Sequence, residues 1–96
     1  MRDRQVLQFG PSLSIRDVTN YAVQIKTLLD DGPVELDLKR VETIDTAGLQ
    51  LLLAVAGDAE RRGFRLRMHG AEAIRTGAAF ALGLDGQLAS LAEIVP

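Results

Sequence analysis

The chain has 96 residues, 47% of them hydrophobic and 25% charged, with a formal net charge of −2 and no cysteine. That length supports a single domain spanning 1–96, with one core and little to spare. The charge balance lacks the basic stripe of a nucleic-acid binder, no apolar run approaches the ~20 residues of a bilayer span, and disulfides and thiol catalysis are excluded.

Met1 to Gln5 is charged rather than apolar, unlike the core of a signal peptide, so a cytoplasmic location is the expectation. Arg4–Phe9 reads as a first strand with Gln5, Leu7 and Phe9 on one face, closed by Gly10-Pro11. Ser14-Ile-Arg-Asp17 is an acidic capping box. It opens a helix in which Ile15, Val18, Tyr21, Ala22, Ile25, Leu28 and Leu29 recur at helical spacing, until Asp31-Gly32-Pro33 stops it. Val34–Leu38 alternates as a second strand with Val34, Leu36 and Leu38 inward.

Val41–Leu53 then passes from a short polar turn into the most apolar run of the chain. Asp45 or Thr46 suits the N-cap of the helix that starts there. Gly48 lowers helix propensity, which implies a close approach at that point by a neighbouring strand or by a partner. On a 3.6-residue wheel, Gly48, Leu51, Leu52, Val55, Ala56 and Ala59 form a core side. Thr46, Gln50, Leu53 and Gly57 form the other, with Ala54 and Arg61 beside them. This second side is low in charge and offers a hydroxyl at a helix start, as a protein-binding surface needs. The plainer alternative is that Thr46 merely caps and Leu53 is a stray exposed leucine, which is common.

The helix closes at Arg61-Arg62-Gly63, and Arg65–His69 is a third strand with Leu66 and Met68 inward. An alanine-rich helix is expected over Glu72–Leu82, ending at Gly83, and a short last helix capped by Asp85 and carrying Leu88, Leu91 and Ile94. Outward strand positions are Arg4, Gln8, Glu35, Asp37, Arg65, Arg67 and His69, with Val6 the apolar exception. One sheet face is therefore expected to be wet, with helices gathered on the other. The pattern predicts an α/β layer: a mixed, mostly parallel sheet of four to five strands with helices mainly on one face.

Catalytic chemistry is not legible. His69 is the only histidine and reads as a solvated surface residue. No clustered metal ligands and no phosphate-cradling glycine loop are present, so the expectation is no enzyme, no metal and no cofactor. A small-ligand site on the wet face or at the Thr46 turn is a third possibility that the few aromatics disfavour.

Leu36-Asp-Leu38, Ile44-Asp-Thr-Ala-Gly-Leu49, the apolar helix, Gly63-Phe-Arg-Leu66 and Leu82-Gly83-Leu84 together resemble the STAS domain of sulphate transporters and anti-sigma factor antagonists. The resemblance spans almost the whole chain and implies a binding module with a mixed sheet and one-sided helices. It implies partner contacts at Asp45, Thr46, Ala47, Gly48, Gln50, Leu53 and Gly57. In partner-switching members, phosphorylation of the hydroxyl residue after the Asp, here Thr46, breaks the complex with a serine kinase/anti-sigma factor. The next position, often a second hydroxyl there, is Ala47. The Asp-Thr-Ala-Gly turn is also similar to the cytoplasmic STAS subunit of phospholipid-transport ABC systems, which braces the ATPase, and to chemotaxis-associated STAS proteins. The expected partner is thus a protein, with no nucleic acid and no insertion into a membrane.

Overall fold

The computed structural model describes residues 5–70 and 84–95. The expected helix over 72–82 and its stop at Gly83 lie outside the described residues. The first strand, β1 (Gln5–Gln8), is followed by β2 (Ser12–Leu13), α1 (Val18–Asp31), β3 (Val34–Asp37), β4 (Thr43–Ile44), α2 (Thr46–Arg61) and β5 (Leu66–His69). A short helix, α3 (Leu84–Leu91), and a last strand, β6 (Ala92–Val95), complete the described chain. The main sheet has four strands in the order β1-β3-β5-β6, and β2 pairs with β4 in a small separate ladder. Every pairing among the described residues is parallel.

The helical crossovers explain the parallel order. α1 carries the chain from β1 to its neighbour β3, and α2 carries it from β3 to β5. Alternation then sorts the sheet. Val34, Leu36, Leu66, Met68 and Ala92 point into the core, where they meet Ile25 and Leu29 of α1 and Leu52, Val55, Ala56 and Ala59 of α2. The opposite face is polar, and its side chains cover one another. β3 and β5 are neighbours with Glu35 opposite Arg67 and Asp37 opposite His69. Side-chain contacts tie these strands together: His69 Nε2 meets Glu35 diagonally across β3 and β5, and Arg67 Nε lies 4.0 Å from Oε2 of its register partner Glu93 on β6. His69 is thus a half-buried, carboxylate-paired residue rather than a solvated one.

Two further expectations are corrected. Residues 15–17 form a turn, so α1 begins at Val18 and leaves Ile15 off its core stripe, 70% exposed. Only the acid-to-amide half of the box forms, with Asp17 Oδ2 accepting from Ser14 N–H at 3.4 Å and from Ser14 Oγ at 3.1 Å, and Asp17 rather than Ser14 stands at the N-cap. Ile94 belongs to strand β6, paired with Met68, and the last helix runs from Leu84 with Asp85 inside it. The end of α2 is tied to its surroundings: Arg62 pairs with Asp30 of α1 and, at 3.3 Å, with Asp58.

Candidate functional site at the start of the second long helix

The turn that launches α2 is organised by Asp45. Its extended backbone (φ −98°, ψ −179°) is that of an N-cap, and its Oδ1 accepts from Gly48 N–H at 2.9 Å. The other oxygen, Oδ2, accepts from Ile15 N–H at 3.0 Å, and Asp45 N–H donates to Leu13 O at 3.2 Å. One carboxylate therefore holds both the first turn of α2 and the turn that leads into α1. Hydrogen bonds to the charged form, Gly48 N–H foremost and Ile15 N–H after it, hold this carboxyl below the usual carboxylate range. The positive end of the helix dipole acts in the same direction.

Gly48 answers the question its presence raised. A Cβ there would stand 2.3 Å from Leu13 O and 2.9 Å from Leu13 Cγ. The close approach is made by β2, which lies parallel to β4 with Leu13 beside Ile44. Gly48 is buried, and its missing Cβ lets β2 lie against the first turn of α2.

With Asp45 as cap, Thr46 is the first helical residue and is exposed, as is Gln50 one turn on. Beside them an open groove of about 500 Å³ runs between α1 and α2. Ile15, Thr19 and Val23 line its α1 side, and Ala47, Gln50 and Leu51 its α2 side. Lys26 is the one charged residue that lines it among the described residues. Ile15 and Val23, 70% and 62% exposed, are two of the three large exposed hydrophobics among the described residues. Such a surface favours apolar contact with another chain and has few groups with which to orient a small polar molecule.

The family described as "Mlab, STAS domain" matches residues 2–95. The chain belongs to the STAS domain family. No curated protein matches it. Among solved structures, a protein from Thermotoga maritima assigned as an anti-sigma factor antagonist aligns over 93% of this chain and 77% of its own. Its TM-score is 0.70 at 18% identity. A sulfate transporter family protein from Wolinella succinogenes aligns over 95% of this chain and 75% of its own, with TM-score 0.67 at 21% identity. At these identities the likeness shows the shared fold.

Within this STAS domain, the seven residues singled out from sequence separate into distinct roles. Thr46 and Gln50 stand on the outer ridge of α2, with Gly57 half-buried two turns further along. Ala47 leans to the α1 groove. Leu53 is half-buried against the core cluster, so it is neither fully displayed nor hidden. Asp45 and Gly48 build the turn. The α1 half of the groove was not legible in the sequence, because Ile15 matched the core stripe of α1. The Ser14–Asp17 box, read as a bound turn preceding the helix, was the signal that could have moved Ile15 outward.

Proposed function

We propose that this STAS domain is a non-enzymatic regulatory protein-binding module of the anti-sigma factor antagonist type. In this reading it works in the cytoplasm by partner switching with a serine kinase/anti-sigma factor or a related signalling protein. One observation carries the reading: exposed Thr46 and Gln50 continue into an apolar groove with a single lining cation, which gives a partner a dry floor and one hydroxyl at its rim. Phosphorylation of Thr46 would add a charge of about −1.5 to −2 at that rim. The nearest amides are already engaged, because Asp45 holds the N–H groups of Gly48 and Ile15. The added charge therefore falls mainly on the docking surface and opposes the partner. The test is to recover the bound protein from the native cytoplasm and titrate it calorimetrically. An ATP-binding regulator kinase is expected, with Thr46→Glu lowering its affinity at least tenfold while a denaturant melt stays close to wild type. Normal binding by Thr46→Glu would remove the turn from the interface.

A second reading is a cytoplasmic accessory subunit that braces the ATPase of a phospholipid-transport ABC system. Ala47 favours it, since partner-switching members often carry a second hydroxyl there, and the family description bears the name Mlab. Recovery of an ABC ATPase alone, with Thr46→Ala weakening its assembly, would select this reading over the first.

A further inference from the structure

The groove beside Thr46 does not end at Lys26. A smaller one of about 210 Å³ continues it between the same two helices, and the two share Ala22, Lys26 and Leu51 as lining. Along α2 the joined trough runs from Ala47 to Arg61, about 20 Å at 1.5 Å per residue, or roughly four helical turns. Its floor is small and apolar: Ala22 and Ala54 stand beside Leu51 and Val55, and no aromatic ring lines it among the described residues. Charge is settled unevenly along its length. Asp58, at the far end, is shared by Arg61 at 3.5 Å and Arg62 at 3.3 Å. Lys26, midway along and exposed, forms no ion pair with any described residue.

We propose that this trough takes an α-helix of the partner protein, apolar on the face it buries and carrying a carboxylate that meets Lys26. The proposal rests on the reading of the α2 turn as a docking point. The walls select a helix. Both are themselves helices, whose N–H and C=O groups bond internally, so the trough has no open backbone edge with which a strand could pair. An extended segment laid there would bury its amides against Ala22, Leu51 and Val55 with nothing to bond. A helix arrives with its backbone already satisfied. Its side chains fit between the ridge Thr19, Val23, Lys26 of α1 and the ridge Ala47, Gln50, Ala54 of α2, and the alanines admit the usual interaxial distance of about 8–10 Å. A polyproline segment docks between aromatic rings, which the trough lacks, and a small molecule would be poorly enclosed by so open a surface. Lys26 selects the charge. An apolar helix laid over it strips water from an unpaired ammonium, which is costly unless a carboxylate replaces that water. A neutral helix leaves the cost standing, and a basic one adds repulsion. A phosphate on Thr46 would then stand at the rim of a trough filled by an acidic helix, which opposes it.

The test places a photo-reactive benzoylphenylalanine in the full chain, either at Val23 on the trough wall or at Gln50 beside Thr46, and cross-links each in the native cytoplasm. Mass spectrometry of the joined peptides should find the same partner at both positions. The segment captured at Val23 should carry apolar residues three and four apart, with an Asp or Glu on the same face. A synthetic peptide of that segment then serves as the titration probe. It should gain helical circular dichroism on binding. Lys26→Glu should weaken it at least tenfold and Lys26→Arg should retain it, while a peptide with its acid changed to lysine should regain binding to the Lys26→Glu chain. Lys26 is exposed, so urea melts of both variants should match wild type. Three results overturn the proposal while capture at Gln50 keeps the Thr46 docking point standing: no capture at Val23, capture there of a second copy of this chain, or a captured segment that binds without helix or equally well to Lys26→Glu. Capture at neither position overturns both.

Discussion

Replacing Gly48 by alanine sets two effects of opposite sign against each other. Alanine is the better helix former, a gain of about 1 kcal/mol at most in a helix interior and less in a first turn. The new methyl, however, would lie 2.3 Å from Leu13 O, 2.9 Å from Leu13 Cγ and 3.0 Å from Ile44 Cγ1. Ordinary contacts of a carbon are near 3.5 Å, so Leu13 must retreat by about 1 Å. It is not free to do so: Leu13 O accepts Asp45 N–H at 3.2 Å, its side chain is fully buried, and its strand pairs with β4. Overpacking of this kind costs about 1–3 kcal/mol. The net expectation is a loss of about 1–2 kcal/mol, each kcal/mol being worth roughly 4–8 °C of Tm in a domain of this size. Gly57→Ala is the control. A Cβ there meets only the flexible end of Arg61 at 3.6 Å, so the same substitution should stabilise by about 0.4–1 kcal/mol. Urea melts of the two variants beside wild type give both signs. If Gly48→Ala also stabilises, the contact between β2 and the start of α2 is not why glycine stands there.

Leu52 is fully buried in the core cluster, and Leu52→Ala should cost about 2–5 kcal/mol in a denaturant melt; a smaller loss would place the α2 core face elsewhere. Because the folded-state pKa of Asp45 is depressed, its contribution to stability is complete above the ordinary value of 3.8 and fades as pH falls through the lower folded value. The stability gap between wild type and Asp45→Asn should accordingly narrow in acid, and a gap constant from pH 7 to pH 2 would contradict the hydrogen-bonded cap. Ile15→Lys, at a site already exposed, should leave the melt within about 0.5 kcal/mol of wild type. The same change should weaken capture of the partner at least tenfold, and unchanged capture would exclude the α1 side of the groove.

Local patterns in this chain were informative wherever one face of an element is simply buried. The stripe Gly48, Leu51, Leu52, Val55, Ala56, Ala59 is buried as its spacing requires, as are Val34, Leu36, Leu38, Leu66 and Met68 in alternation. The stops at Gly32 and Gly63, both at positive φ, follow from backbone freedom that glycine alone has in full. Elements too short to show a period were less legible. The Ser12–Leu13 and Thr43–Ile44 ladder has two residues per strand and exists only because Pro11 O and Leu13 O find donors at Glu42, Thr43 and Asp45. β6 looked like a continuation of helix because three apolar positions at intervals of three suit a helix; the free edge of β5 drew it into the sheet instead.

Sequence alone determined the α/β class with a mostly parallel sheet, the core faces of α2, β3 and β5, and the STAS kinship, since these depend on periodicity, turn chemistry and one recognisable turn. Tertiary structure decided which hydroxyl and carboxylate do what at that turn. Asp45 is the cap because its Oδ1 takes Gly48 N–H, while Ile15 N–H, thirty residues earlier, reaches the other oxygen of the same carboxylate. That long-range bond ties the turn before α1 to the start of α2, where Ile15, Ala47 and Gln50 line one groove. The groove exists only where two helices distant in sequence lie side by side, and no spacing within either helix encodes it.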